Sequence, residues 1–214
     1  EDARRQLWDR LLAEVEALPA VEAAGVANSL PFSGGYSSSV ITPEGYVPRP
    51  GESLLSPVQS VVSPGYFQAM GIEVLEGRAF ARSDGLDDLR VMVIDRWLAD
   101  RYWPDGGAVG QRMVWGAVPG QDSIPEDALY TVIGVVETVK HQDLTAPAGE
   151  HVGAYYATYP QVSRSFLTLV ARARSGGGEA LTPRVREVLA GLDPELPLFD
   201  VQSMAGRIDE SLAR

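Results

Sequence analysis

The chain has 214 residues, 45% hydrophobic and 22% charged, and its 29 Asp and Glu outweigh 18 Lys and Arg to give a net charge of −11. This composition is typical of a folded globular protein with a real core rather than of a disordered chain. The acidity disfavours binding to nucleic acid and to anionic lipid headgroups, and the absence of cysteine excludes disulfides and thiolate metal sites.

Neither a membrane span nor a signal peptide is visible in the sequence. No run approaches the roughly 20 apolar residues that cross a bilayer, and no apolar signal-peptide core follows the N-terminal residues 1–5. Both ends of the sequence show helical patterns without a polar tail. We therefore expect a water-exposed domain cut from a longer protein.

The N-terminal part predicts a helix followed by strands. Apolar residues recur at three- and four-residue spacing before Pro19, which ends the helix. A strand is expected from Val21 to Asn28. The Ser- and Gly-rich stretch 33–39 predicts a flexible loop, and two further strands are expected near 40–46 and 57–62.

Residues 63–71, SPGYFQAMG, predict a compact helical unit. Ser63 is a potential N-cap, and Pro64 suits the first helical position. Gly71 can adopt the left-handed conformation that ends a helix. A short strand is expected to follow over 72–75.

The central part combines strands with one capped helix. Val91–Ile94 is fully apolar and β-branched in part, which predicts a buried strand. Asp95 is the expected N-cap of the next helix, which Pro104 ends. Two further strands are expected over 113–115 and 130–140.

The C-terminal part predicts strands and two helices. A helix is expected over 179–190 with Gly191 as its C-terminal cap, and Ser203 is expected to cap a last helix. The strands are expected over 155–159, 166–172 and 198–201. This order of elements favours an α+β fold over a regular alternating α/β sheet.

The two histidines form no recognisable catalytic or metal-binding motif. His141 and His151 are ten residues apart across a Pro- and Gly-containing loop. This spacing matches no ligand motif, even with Asp143 or Glu150 as helpers. We interpret both histidines as surface residues.

Two other segments superficially resemble ligand loops. Ser83 and Asp84 with Asp87 and Asp88 lack the alternating oxygen ligands and terminal Glu of a calcium loop, so a solvated acidic turn is expected. Residues 175–178 precede a helix but lack the Gly-Lys-Ser/Thr ending of a phosphate loop. No nucleophile elbow of the Gly-x-Ser-x-Gly type occurs. The sequence therefore predicts no catalytic, cofactor-binding or metal-ligating residue and no cofactor.

The aromatic residues and three glycines have structural interpretations. The expected core aromatics are Tyr66, Phe67, Trp97, Tyr102 and Trp103. A second group fits either the core or the edge of a binding face: Tyr155, Tyr156 and Tyr159. We interpret three glycines as positions that need a special backbone conformation: Gly71, Gly77 and Gly134.

Six short motifs occur in an order and spacing that resemble one protein family. They are SPGYFQAMGI at 63–72, LEGRAF at 75–80, VIDRWLADRYWP at 93–104, VGQR at 109–112, TVIGVV at 131–136 and LDPELP at 192–197. Together they resemble the MacB-like periplasmic core domain of FtsX/MacB-type (type VII) ABC transporter permeases, in particular the acidobacterial-type group with two such domains per chain. Asp95 stands where the family usually has Asn, and segments 33–56 and 116–128 match no motif.

The resemblance implies an α+β fold with two lobes. Residues 1–32 plus 155–214 would form a mixed-sheet, porter-like lobe, and residues 33–154 an inserted, β-rich second lobe. The domain would lie on the periplasmic side of the bacterial inner membrane, between two membrane helices. It would be a non-enzymatic module that passes ATPase-driven helix motion outward to cargo or a partner, by mechanotransmission.

The partners implied by the resemblance are a second permease copy or paired periplasmic domain, a cytoplasmic ATPase reached through the membrane helices, and a periplasmic adaptor. Two alternatives stay open at this point. One is a free-standing periplasmic ligand-binding protein, which requires a cleft between two lobes. The other is a hydrolase, which requires a pocket that joins a histidine to acidic residues.

Overall fold

The computed structural model describes residues 2–33, 35–85, 89–116, 124–141, 152–162, 164 and 166–213. The helices in these residues are α1 (Asp2–Glu16), α2 (Tyr66–Met70), α3 (Arg96–Tyr102), α4 (Thr182–Leu192) and α5 (Met204–Leu212). The strands are β1 (Val21–Ala27), β2 (Ser37–Ser38), β3 (Ile41–Pro43), β4 (Val58–Val62), β5 (Val74–Gly77), β6 (Val91–Asp95), β7 (Arg112–Trp115), β8 (Leu129–Val136), β9 (Ala154–Thr158) and β10 (Thr168–Ala173). Within the described residues, no helix combines the length and apolar character that a membrane crossing requires.

All these strands belong to one mixed sheet. Its order is β10-β1-β4-β9-β6-β8-β7-β3, with β2 paired to β4 and β5 paired to β8. The pairs β4–β9 and β6–β8 are parallel, and the other pairs are antiparallel. Helices cover this sheet without regular βαβ alternation, which confirms the predicted α+β class with a mixed sheet.

Both faces of β1 are covered by helices. On one face, α1 and α4 pack over a cluster that includes Val21, Ala24 and Val26. On the other face, α2 packs over Ala23 and Ala27. Because apolar layers lie on both sides, six of the seven β1 residues are buried.

The predicted two-lobe division remains a proposal. Strands from residues 1–32 plus 155–214 and from 33–154 are hydrogen-bonded in the same sheet. For example, β4 pairs with β1 on one side and with β9 on the other. If the two lobes moved as separate rigid bodies, the hydrogen bonds between these neighbouring strands would therefore have to break or distort.

The α2 unit is held from both ends, but not in the way the sequence suggests. Ser63 does not cap the helix: its Oγ accepts a hydrogen bond from Val26 N at 2.9 Å, and Gly65 is the N-cap residue. At the other end, Arg172 Nε donates to Ala69 O at 3.0 Å. The side-chain bonds thus join α2 to β1 and β10, the two strands beneath it.

Several predicted boundaries and caps are confirmed. Gly71 ends α2 with a φ of 70°, and Gly77 also has a positive φ, of 68°. Asp95 caps α3 by accepting from Leu98 N at 3.0 Å, and Ser203 caps α5 by accepting from Gly206 N at 3.1 Å. These contacts span only a few residues, which makes them readable from local sequence.

Other local predictions are wrong. Residues 198–201 form no strand. Gly191 lies inside α4, whose C-cap is Asp193. The 33–39 loop contains the short strand β2, and the strand expected over 72–75 is β5, two residues later. Gly134 is required for space rather than for an unusual φ, since a Cβ there would lie 2.2 Å from Arg78 O.

Candidate functional site

An aromatic cluster fills the space between α2 and the sheet. Phe67 contacts Tyr66 at a ring-centroid distance of 5.6 Å, Phe80 at 6.1 Å and Tyr156 at 5.0 Å. Tyr156 is fully buried, and burial raises the pKa of its phenol well above the usual value, so this group is neutral at all physiological pH values. The cluster is a packed interior rather than a reactive cleft.

The tyrosines of β9 belong to the core. Tyr155 and Tyr156 are both 0% exposed although they are neighbours on one strand, because β9 lies between β4 and β6 and both faces of the sheet are covered. Of the two interpretations, the core is therefore the correct one for these two residues, and they do not form the edge of a binding face. Tyr159 is half-buried against the cluster beneath α1 and α4.

His141 lies partly inside the molecule rather than on an open surface. Its Nε2 is 3.5 Å from the Tyr156 hydroxyl, and its carbonyl accepts a hydrogen bond from Phe32 N at 2.9 Å. The expectation that His141 is a surface residue is thus only partly correct, because the residue is half-buried. His151, Asp143 and Glu150 lie outside the described residues, so the described part brings none of the predicted helpers to His141.

The acidic turn after β5 is organised by an ion pair. Arg78 donates from Nη1 and Nη2 to the two carboxylate oxygens of Asp84 at 2.7 and 2.9 Å, and Ala81 N donates to the same carboxylate at 2.7 Å. The Arg78 hydrogen bonds are the main reason that the pKa of Asp84 is lowered. Asp87 and Asp88 lie outside the described residues, and the described part of the chain contains no group of three or more potential metal ligands.

Replacing Asp84 by Asn is expected to destabilise the fold in a pH-dependent manner. The folded-state pKa of Asp84 is below the unfolded value of about 3.9, so its contribution is present above that unfolded value and is lost as the pH falls through the folded pKa. The urea midpoint of Asp84→Asn should lie below that of the unaltered protein at pH 7, and the difference should narrow as the pH falls below about 3.9 toward the lowered folded-state pKa of Asp84.

The matched control is Asp105→Asn, which removes an exposed carboxylate that forms no ion pair within the described residues. Its urea midpoint should follow that of the unaltered protein at both pH values. If the urea midpoint of Asp84→Asn lay below that of the unaltered protein by the same amount at pH 3 and at pH 7, the charge of Asp84 beside Arg78 would contribute nothing to stability.

A small polar depression of about 320 Å³ is lined by residues of the loop after β1: Asn28, Ser29, Ser33, Gly35, Tyr36 and Ser37. Its side-chain oxygens are largely used within the protein. Asn28 Oδ1 accepts from Val61 N at 2.6 Å, and the hydroxyls of Ser29 and Ser33 donate to Gly35 O and Leu30 O, both at 2.8 Å. These atoms hold the loop in place and are not directed at a ligand.

The segment after β10 is a turn without a phosphate-binding arrangement. Gly176 has a φ of 77°, and Gly178–Leu181 forms a short 3-10 helix that leads into α4. Residues 175–182 contain no Lys. The expected turn is present, and the Lys that reaches the phosphates of a bound nucleotide in a phosphate loop is missing from this segment.

Helix α1 is anchored to the sheet by its buried apolar residues. Leu11, Leu12 and Val15 are buried against the sheet and α4. In the last turn of α1, Glu16 forms an ion pair with Arg82 in the loop after β5. A short turn, closed by a hydrogen bond of 2.9 Å from Val21 N to Leu18 O, then joins α1 directly to β1.

The opposite end of the described chain is loosely held. Helix α5 has no buried residue. Phe199 before it is 77% exposed, and Leu212 within it is 58% exposed. The apolar repeat that predicts α5 is therefore real but only partly covered: Met204 and Ile208 are half-buried, whereas Leu212 is exposed.

These observations define a domain in which helices cover a single mixed sheet. The sequence matches the family model described as "MacB-like periplasmic core domain" over residues 2–192. The chain therefore belongs to the MacB-like periplasmic core domain family. No curated protein matches it.

Three solved structures share the fold. The periplasmic region of MacB from Actinobacillus actinomycetemcomitans is similar with a TM-score of 0.59 and 13% identity, over 95% of this chain and 81% of that one. The extracellular domain of the noncanonic ABC-type transporter YknZ from Gram-positive bacteria gives 0.52 and 14%, over 85% and 81%. A domain of a putative permease from Porphyromonas gingivalis gives 0.51 and 18%, over 85% and 68%.

Proposed function

We propose that this chain is the extracytoplasmic domain of an ABC transporter permease and that it couples membrane-helix motion to cargo or to a partner protein. It acts by mechanotransmission and not as an enzyme. The family membership supports the class of protein. The attachment of α1 supports the mode of action, because a displacement of α1 is passed through packed side chains to the sheet.

The packing of α1 is the observation that carries this proposal. Val15 is 0% exposed, and Leu11 and Leu12 are almost fully buried, so α1 cannot slide over β1 without opening the core. The Glu16–Arg82 pair gives α1 a second contact, with the loop after β5. In this proposal the buried contacts make α1 and the sheet move as one unit, and the largely exposed ion pair adds little to them.

We further propose the surroundings in which this unit works. The domain lies on the periplasmic side of the inner membrane, and its two ends continue into membrane helices. A cytoplasmic ATPase moves those helices, a second permease copy or paired periplasmic domain faces this one, and a periplasmic adaptor can dock. The acidic net charge of −11 suits a basic protein partner.

The first test of this proposal is the sequence of the parent gene. Apolar stretches of roughly 20 residues on both sides of this segment are expected. Polar flanks in a gene that encodes no membrane helix would overturn the proposal.

The second test uses spin labels in the full-length permease. The chain has no cysteine, so introduced cysteines are the only labelling sites that it contributes. Glu14→Cys on α1 and Arg186→Cys on α4 are both exposed positions. The distance between these two labels within one domain should stay constant when ATP is added.

In the same experiment, the Glu14→Cys label alone reports the distance between two copies of the domain. This distance is expected to change between the nucleotide-free and ATP-bound states. A constant distance between copies during ATP hydrolysis would contradict mechanotransmission, and a change within one domain would contradict the rigid attachment of α1.

A further inference from the structure

Three buried hydroxyl groups beneath α2 have no hydrogen-bond partner among the residues that the structure describes. They are Ser60 Oγ, Tyr66 OH and Thr158 Oγ1, and all three residues are 0% exposed. A hydroxyl group removed from water without a partner destabilises a fold, and almost all such groups in native proteins are satisfied by protein or by ordered water. Their positions relative to the sheet follow from the strand register and from the contacts of α2.

The sheet register places two of these hydroxyls on the same face. In the parallel pair β4–β9, Ser60 lies opposite Tyr156, and Val62 lies opposite Thr158. Side chains two residues apart on a strand point to the same face. Ser60 therefore projects to the same side as Val62, and Thr158 to the same side as Tyr156, which is the side occupied by the cluster beneath α2.

The third hydroxyl reaches this face from above. A Cβ on Gly25 of β1 would lie 2.6 Å from Tyr66 Cα, so the Tyr66 backbone sits directly over β1. The Tyr66 ring is 6.3 Å from the Tyr156 ring of β9. Since β4 lies between β1 and β9, the Tyr66 side chain crosses β4 on the face from which Ser60 projects.

We propose that Ser60, Tyr66 and Thr158 form a buried water-binding site between α2 and the sheet. Each hydroxyl can donate one hydrogen bond and accept others, and a buried water typically needs two to four polar partners. The three hydroxyls do not bond to one another, so a shared water is the simplest way to satisfy them together. This inference is independent of the proposed transporter role.

The site explains why polar residues occupy this part of an otherwise apolar layer. Tyr66 belongs to the SPGYF segment, and its neighbour Phe67, which carries no polar group, lies in the same cluster. A water at the Tyr66 hydroxyl joins α2 to β4 and β9 by hydrogen bonds, in addition to the direct bonds to β1 and β10. The α2 unit would thus be linked to four adjacent strands.

The direction in which a mutation changes the unfolding equilibrium constant shows whether the site holds a water. Tyr66→Phe keeps the ring and removes only the hydroxyl. If the water is present, this change breaks a hydrogen bond and raises the unfolding equilibrium constant roughly two- to tenfold. If the site is dry, it removes an unsatisfied group, and the unfolding constant stays the same or falls. Tyr36→Phe, at a tyrosine that is 52% exposed, is the control and should have no effect.

A double-mutant cycle tests whether the water is shared. Thr158→Val is nearly isosteric and should destabilise the protein in the same direction as Tyr66→Phe. If one water serves both hydroxyls, the double variant should be less destabilised than the product of the two single effects on the unfolding constant. Independent, multiplicative effects would overturn the shared site.

A crystal structure of the unaltered chain gives a readout that does not depend on any variant. An ordered water within hydrogen-bond distance of at least two of the three hydroxyls is expected. Direct hydrogen bonds among the hydroxyls, or an empty space between them at a resolution that shows other buried waters, would overturn the proposal.

Discussion

Replacing Gly65 by Ala should destabilise the protein by about 3 kcal/mol or more, which is the upper range for overpacking of a rigid interior. A Cβ at this position would lie 2.0 Å from Ala24 O, far inside van der Waals contact. The obstacle is a backbone atom of β1, a strand with a neighbour on each side, so it cannot move aside as a flexible side chain would. Either α2 must lift from β1 or β1 must bend, and each disturbs the buried residues on both faces of β1.

The effect of Gly65→Ala is steric, because the backbone of Gly65 is already in a region open to all residues, with a φ of −78°. Gly177→Ala is the matched control. Gly177 has a φ of −80°, and no atom lies within 4 Å of the point that an added Cβ would occupy. Without a clash, the control should be neutral or stabilising by up to about 1 kcal/mol. Urea titration followed by tryptophan fluorescence measures both variants, and equal midpoints would refute the close contact.

The same contact gives the SPGYF motif a physical meaning that the sequence alone does not supply. From the sequence, Ser63 and Pro64 resemble a helix start, and this interpretation is partly wrong. Ser63 Oγ instead bonds to Val26 N, 37 residues earlier in the chain. The motif thus encodes docking onto β1 through a side-chain bond at Ser63 and through the missing side chain at Gly65.

Helix caps can be predicted from the sequence because the capping residue and the group that it bonds are close together in the chain. The caps at Asp95 and Ser203 and the left-handed Gly71 are of this kind, since each acts within one helical turn. The strand expected over 198–201 does not form, and these residues pair with no strand of the described sheet. Periodicity cannot tell whether a neighbouring strand exists.

The burial of Tyr155 and Tyr156 shows a second limit. Two adjacent buried tyrosines violate the alternation of a half-exposed strand, and the sequence could not decide between core and binding edge. The sheet order resolves this, since β9 is central and is covered on both faces. The Glu16–Arg82 contact is equally invisible from sequence, because its partners are 66 residues apart.

Truncation of Phe67 to Ala is expected to cost about 3–5 kcal/mol, as for other buried aromatic residues. Phe67 is 1% exposed and contacts the rings of Tyr66, Phe80 and Tyr156. Its removal leaves a cavity between α2 and the sheet and also ends three aromatic contacts. Phe166→Ala, at a residue that is 82% exposed, should change stability by less than about 0.5 kcal/mol.

Hydrogen exchange can show whether α2 is an integral part of the fold or a separable cover. If α2 unfolds only with the sheet, the amides of α2 and of β1 should lose protection in Phe67→Ala by the same factor, because both then exchange through global opening. Two hydrogen bonds favour this outcome. Val26 N of β1 donates to Ser63 Oγ, just before α2, and Arg172 Nε of β10 donates to Ala69 O in α2. A loss of protection confined to α2, with β1 unchanged, would show that the helix detaches alone and would remove it from any rigid path between α1 and the rest of the domain.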